Sequence, residues 1–146
     1  MKYIKIYESF IQASPSALNN LKSAIESGIE SEVKTPIYLD SNQETPGLVK
    51  FLSELVGDKS MDMTIINLDQ MTLSELKDAF PKENTMDKGG IIFIDGIGQA
   101  RPENKKMLFD KISEGSIPSV WQVIVNGPSK QEDKDSLKSF TVVKIN

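Results

Sequence analysis

Polar side chains that could bind a ligand stand at the ends of three apolar runs. Asp40, Asp95 and Asn126 each come directly after such a run. An aspartate at the end of an apolar strand is a type of ligand that holds Mg²⁺ beside a phosphate. The alternative is local, because Asp95-Gly96 is also a common turn pair in which the carboxylate accepts from nearby backbone amides. Asn126-Gly127 likewise fits an ordinary turn.

Other catalytic chemistry is excluded by composition. The sequence has no cysteine and no histidine. Disulfide scaffolds, thiolate zinc sites, cysteine nucleophiles and every mechanism that uses imidazole are therefore excluded. A Ser-His-Asp hydrolase is excluded for the same reason. The lack of cysteine fits a reducing compartment, and we expect a cytoplasmic protein.

Length and charge narrow the class of protein further. The 146 residues carry 17 basic and 21 acidic side chains, a net charge of −4. We expect one domain over residues 1–146, with residues 1–13 as an N-terminal extension. The acidic balance argues against a nucleic-acid partner, because a protein that binds nucleic acid needs a basic face. No apolar run approaches the roughly 20 residues of a membrane span, so no membrane association is expected.

Helices are predicted where apolar residues recur at helical spacing behind a capping signal. The predicted first residues or caps are Ser14-Pro15, Thr45-Pro46, Thr72 and Pro102. The predicted stops are Gly28, Gly57, Pro81 and Gly115. Thr72 and Glu75 have the spacing of a capping box.

Strands are predicted between these helices, over residues 33–39, 63–68, 91–94, 120–125 and 140–145. The alternation predicts a three-layer α/β/α sandwich with a five-stranded, mainly parallel sheet. Loops that follow the strands then lie on one rim, where such folds bind ligands. The charged stretch 130–138 is interpreted as a solvated loop or short helix, and the lysines from Lys105 to Lys138 are expected to face solvent.

The residues around Asp95 resemble a known family. Residues 90–103, continuing to 115, are similar to AAA+ ATPases, especially the MoxR-like branch, where the Walker B strand ends in Asp-Glu. Residues 123–128 resemble the strand with the first sensor asparagine, here Asn126. The resemblance covers residues 14–145 and implies a P-loop NTPase fold with Asp95 and Asn126 as cofactor-binding residues.

Three departures from that family concern the catalytic groups. A phosphate-binding loop needs GxxxxGK[ST], but residues 40–48 contain no lysine and add Asp40 and Glu44. A carboxylate about 4 Å from a phosphate oxygen repels it by about 4 kcal/mol at an effective dielectric near 20. Gly96 replaces the water-activating glutamate, and Ser139 replaces the arginine before the fifth strand. The sequence stops at Asn146, so the family's helical lid is expected to be absent.

Together these departures predict a catalytically inactive AAA+-like domain that acts as a protein-interaction or assembly module. Asp95 and Asn126 are then vestigial, and we expect no catalytic residue, no metal and no cofactor. The expected partner is a protein, either a second copy or an active AAA+ subunit. The first ten residues resemble the start of many proteins from large tailed phages, which would place the chain in the host cytoplasm.

Two alternatives remain open at this level. One is an atypical switch that binds ATP or GTP through Asp95 and Asn126 with little or no hydrolysis. The other is a receiver-like phosphoacceptor domain built on Asp95, Ser129 and Lys144. The receiver-like interpretation is weakened by Asp40, because such a domain carries an adjacent pair of acidic residues there.

Overall fold

Strands and helices alternate through the described part of the chain. The computed structural model describes residues 15–30, 35–40, 46–58, 62–80, 90–117, 121–127 and 133–144. The strands are β1 (Ile37–Asp40), β2 (Asp62–Asn67), β3 (Gly90–Asp95), β4 (Trp121–Asn126) and β5 (Thr141–Lys144). The helices are α1 (Pro15–Glu30), α2 (Pro46–Asp58), α3 (Leu73–Ala79) and α4 (Pro102–Ser113). None of these described helices is long and apolar enough to cross a bilayer.

Some predicted features fall on residues outside the described ranges. They are the extension 1–13, the caps Ser14 and Thr45, the stop Pro81, Ser129, and residues 41–45 of the stretch where a phosphate-binding loop would lie. Each predicted strand is present, with bounds that differ by a few residues. β1 begins at Ile37 rather than at residue 33, and Pro36 directly before it has no N–H to give to a ladder.

The sheet order is β2-β3-β4-β1-β5, and every neighbouring pair is parallel. β1 therefore lies between β4 and β5. The chain leaves β1 towards β2 on one side, and it leaves β4 towards β5 on the other. The connection after β1 packs α2 on one face of the sheet, whereas the connection after β4 packs Leu137 on the other face. Adjacent strands whose connections pass to opposite faces form a crevice at their carboxyl ends, the usual ligand position in open α/β sheets.

This order shows that the receiver-like interpretation is wrong. A receiver-type sheet has the order 2-1-3-4-5, with β1 beside β3. Here β1 pairs with β4 and β5 instead. Asp95 on β3 and Lys144 on β5 are consequently separated by two intervening strands, which is about 14 Å across the sheet.

Buried side chains on both faces of the sheet hold the helices in place. On β3, Ile91 and Phe93 belong to the core beneath α1 and α2, whereas Ile92 and Ile94 belong to the core beneath α3 and α4. All four are fully buried, and burial of each contributes about 1.5–3 kcal/mol. The three-layer sandwich predicted from the sequence is confirmed.

Gly28 does not end the first helix, contrary to the prediction. Helix α1 continues to Glu30. A Cβ atom at Gly28 would clash with the side-chain oxygen of Gln122 on β4. The glycine therefore allows the helix to approach the sheet closely. Gly57 also lies inside its helix, which ends at Asp58.

The start of α3 and the end of α4 agree with the predictions. Thr72 caps α3, its hydroxyl accepting from the Glu75 N–H over 3.2 Å. The Glu75 carboxylate accepts in return from the Thr72 N–H over 3.0 Å. Helix α4 ends at Ser113, and Gly115 follows with a positive φ of 69°.

The segment before β5 is more buried than its charged sequence predicts. Residues 133–139 form turns, but Asp133 and Leu137 are buried. Lys105 on α4 is buried as well, and its ammonium lies 3.2 Å from Asp133 Oδ2. The prediction of a solvated loop is wrong for these positions, as is the exposure predicted for Lys105, because the two charges neutralise each other inside the fold.

Candidate functional site

The polar strand ends predicted to share one rim are placed there by the parallel sheet. Asp40, Asp95 and Asn126 are the last residues of β1, β3 and β4. Asp95 pairs in register with Asn126, and Asn126 pairs with Leu39 next to Asp40. The three side chains therefore stand along the carboxyl edge of neighbouring strands, at the crevice between β4 and β1.

Asp95 and Asn126 are in direct contact. The Asn126 side-chain amide donates to Asp95 Oδ1 over 3.0 Å, and the Gly96 N–H donates to the same oxygen over 3.0 Å. Asp95 thus also accepts from the backbone of the turn that follows it, as the alternative interpretation predicted. Asn126 is 1% exposed, and its Oδ1 has no hydrogen-bond partner within the described structure. A buried acceptor without a donor is costly, at about 1–3 kcal/mol.

Two hydrogen bonds to β1 fix the position of Asn126. The Gly127 N–H donates to the Leu39 carbonyl over 3.3 Å. The Tyr38 hydroxyl donates to the Gly127 carbonyl over 2.6 Å. The turn after β4 is therefore tied to the neighbouring strand, and the amide of Asn126 is held against Asp95.

Gly96 has a backbone conformation that side chains rarely adopt. Its φ is 83° and its ψ is 26°, in the left-handed region. A Cβ atom at this position would also clash with the carboxylate of Asp69. Position 96 is thus shaped for a residue with no side chain.

Asp69 is held against Gly96 by contacts that sequence reasoning missed. The Leu68 N–H donates to the Asp95 carbonyl over 2.9 Å. The side chain of buried Asn104 donates to the Leu68 carbonyl over 3.2 Å and to the Met71 carbonyl over 2.8 Å. A buried asparagine in a helix commonly marks such a backbone contact. The available signal was that Asn104 shares a helical face with Leu108, four residues later.

The residue before Phe140, where the family resemblance implies an arginine, is exposed. Ser139 lies on the surface, and the ammonium of neighbouring Lys138 is 3.1 Å from Asp135 Oδ1. Both partners of that pair are largely exposed.

No three acidic side chains in the described part of the chain are grouped so that they could hold a metal ion.

Solved structures with a similar fold were found. The chain is similar to the RuvB Holliday junction branch migration motor of Thermotoga maritima, with a TM-score of 0.66 and 10% identity, over 92% of this chain and 46% of that one. It is also similar to NtrX from Brucella abortus, with a TM-score of 0.58 and 13% identity, over 98% and 40%. NtrX in complex with ATP matches with a TM-score of 0.56 and 11% identity, over 92% and 36%.

These similarities identify the fold. The described part of the chain has an AAA+-like P-loop NTPase fold, with a five-stranded parallel sheet between layers of helices. The chain spans less than half the length of each of these proteins. No protein-family model matches the sequence, and no curated protein matches it.

Proposed function

We propose that this chain is a catalytically inactive AAA+-like domain, of the MoxR-like branch, that serves as a protein-interaction or assembly module. The observation that carries the proposal is the geometry of Gly96. A glutamate there would have to adopt a left-handed backbone and would meet the Asp69 carboxylate. No carboxylate is then available at position 96 to activate water.

The sequence after β1 supports weak or absent nucleotide binding. Residues 41–48 contain no lysine to neutralise phosphates, whereas they add Glu44, four residues after Asp40 in the sequence. Like charge at a phosphate site is unfavourable at any distance, although solvent screens it. The chain thus offers repulsion where a P-loop lysine would offer attraction.

The exposed Ser139 and the surface pair of Lys138 with Asp135 support the same proposal. An arginine at a phosphoryl-transfer site raises the rate by about three to five orders of magnitude. Ser139 cannot supply that charge, and Lys138 is engaged with Asp135 on the surface. A domain that lacks the lysine, the glutamate and the arginine together is expected to act through contacts of its surface with other proteins.

The expected partner is a protein, either a second copy of this chain or an active AAA+ ring subunit. A net charge of −4 disfavours nucleic acid. The phage-like first ten residues support a viral origin, with the host cytoplasm as the place of action. Identification of what copurifies with the tagged protein would name the partner.

Calorimetry with Mg-ATP tests the inactive proposal directly. We expect no heat of binding and no phosphate release above background. NtrX from Brucella abortus, which has been solved with ATP, is the positive control in the same buffer. A micromolar affinity for Mg-ATP would overturn the proposal.

A second candidate is a nucleotide-binding switch, and the unpartnered Oδ1 of Asn126 favours it. This buried acceptor beside Asp95 could receive a donor from a bound ligand. ATP or GTP should then raise the melting temperature of the wild type, and Asp95→Ala should abolish the rise. Asp110→Ala on the outer surface of α4 is the matched control and should keep it. No rise in the wild type dismisses this candidate.

A further inference from the structure

β2 is an outer strand whose free side is open in the described structure. All six of its residues, from Asp62 to Asn67, pair in continuous register with β3. Within the described ranges, β3 is the one strand that pairs with it. The backbone groups on its other side can therefore accept an added strand.

An apolar side chain lies in the middle of this open edge. Ile65 is 44% exposed, although it is a large hydrophobic residue in the centre of a strand. Met63, two residues earlier and on the same face, packs against the core beneath α1 and α2. The Ser53 hydroxyl of α2 contacts the Met63 sulfur at 3.4 Å. Helix α2 thus packs over Met63 but leaves much of the Ile65 side chain exposed to solvent.

β2 lacks the devices that usually protect an edge strand. Such strands typically carry lysine, proline, a bulge or an inward-pointing charge. β2 has no bulge in its register, and its single charged residue is Asp62 at its first position. The opposite outer strand, β5, has four residues and ends in Lys144. β2 is therefore the edge better suited to pairing.

The charges around β2 indicate what kind of segment would fit. Asp62 is the first residue of the strand, and Asp69 lies in the turn after its last residue, with its carboxylate near Gly96; both aspartates are exposed. Residues 62–76 contain no lysine or arginine. A segment that is apolar in the middle and basic at its ends would match both the apolar centre and the acidic ends of this edge.

We propose that the outer edge of β2 receives an extended segment of a protein partner as an added strand. An apolar residue of that segment packs against Ile65, and lysine or arginine residues near its ends lie beside Asp62 and Asp69. Main-chain hydrogen bonds supply affinity in this mode, and side chains supply specificity. The inference rests on the interaction function proposed above and names the surface that performs it.

Fluorescent eight-residue peptides test the proposal by anisotropy. The first has alternating valine and threonine between two terminal lysines, the second has glutamates in place of the lysines, and the third is the first with alternate backbone nitrogens methylated. The lysine-ended peptide should bind at least about tenfold more tightly than the glutamate-ended one, because two ion pairs replace two repulsions. The methylated peptide should not bind, because it cannot complete the ladder.

Matched variants locate the binding surface. Ile65→Lys should weaken binding of the lysine-ended peptide by about tenfold or more, since it removes the apolar contact and adds like charge. Val142→Lys alters the exposed residue of the other outer strand and should leave binding unchanged. Unchanged melting temperatures establish that both variants are folded.

Several results would overturn the inference. They are failure of the lysine-ended peptide to bind, equal affinity for the two charged peptides, and equal losses in Ile65→Lys and Val142→Lys. A wild-type dimer that Ile65→Lys dissociates would also overturn it, because a second copy would then occupy the edge. Mg-ATP is titrated into the same preparation: ATP binding defeats the inactive-domain proposal, whereas absence of both bindings defeats the β2 inference alone.

Discussion

Lys105 and Asp133 form an ion pair of 3.2 Å whose side chains are 9% and 4% exposed. It joins α4 to the turns that lead from β4 to β5. Both charges are largely removed from water, and each compensates the other. Such a pair contributes little net stability compared with an apolar pair, but removal of one partner takes that compensation from a buried charge.

The first prediction concerns this pair. Lys105→Met should lower the free energy of unfolding by about 3–5 kcal/mol, because it leaves the Asp133 carboxylate buried without its cation. The double variant Lys105→Met with Asp133→Asn should recover part of the loss. Urea unfolding at neutral pH measures both changes.

The matched control is the exposed pair of Lys106 and Asp110, 2.8 Å apart on α4. A hydrogen bond from Lys106 to Asp110, and the charge of that carboxylate, raise the pKa of Lys106. Because the pair is exposed and screened by solvent, Lys106→Met should lower the free energy of unfolding far less than Lys105→Met does. If Lys105→Met and Lys106→Met lowered the free energy of unfolding equally, burial would not be the reason for the effect of Lys105→Met.

The second prediction concerns Gly96. Gly96→Ala should destabilise the protein by about 1–2 kcal/mol from the left-handed backbone alone, with a further loss from contact with Asp69. Gly57→Ala is the control, because nothing lies within 4 Å of a Cβ atom there and the residue is helical. The control should stabilise the fold by about 0.5 kcal/mol. Thermal unfolding of the two variants compares them, and a stabilised Gly96→Ala would refute the geometry.

The third prediction concerns acid unfolding at the start of α3. The backbone N–H of Thr72, followed by its hydroxyl, lowers the pKa of the Glu75 carboxyl. A carboxyl whose pKa is lower in the folded state stabilises above its unfolded pKa, and this contribution is lost as the pH falls through the folded pKa. The stability difference between wild type and Glu75→Gln should therefore shrink on acidification below the usual carboxyl range. A difference that grows in urea titrations at low pH would contradict this assignment.

The fourth prediction concerns the contact between Asp95 and Asn126. Asn126→Asp replaces a hydrogen bond of 3.0 Å with two carboxylates at similar distance. The variant should be less stable at pH 7 by about 1–3 kcal/mol, since a donor is lost and like charges meet. Protonation of one of two neighbouring carboxyls relieves their repulsion, so the loss in this variant should decrease on acidification. Asn126→Ala is the control, and its loss should depend less on pH.

The layers of the fold were predictable because the spacing of apolar and capping residues within each segment indicates whether it forms a helix or a strand. The run 91–94 is apolar at every position, as a strand covered on both faces must be, and it lies in β3. The spacing of Thr72 and Glu75 predicted a capping box that is present. The strand order was not predictable in the same way, since it depends on which distant strands pair, and residue spacing within one element does not encode that.

The candidate site was predictable only in part. The strand-end positions of Asp95 and Asn126 follow from the apolar runs before them, and parallel pairing then brings the two together. The contact of Asp69 with Gly96 depends on a turn that Asn104 holds from another element. Lys105 was expected in solvent because lysine usually is exposed, and its partner Asp133 lies far along the chain.

The position of β1 between β4 and β5 has a consequence for synthesis on the ribosome. β1 is the first strand of the described chain to be made, yet both strands that flank it are the last two. Its backbone cannot be paired within the sheet until residues 121–126 have emerged. An apolar segment thus stays unpaired until β4 has been made, and a nascent chain halted before β4 would expose an unpaired strand that favours aggregation.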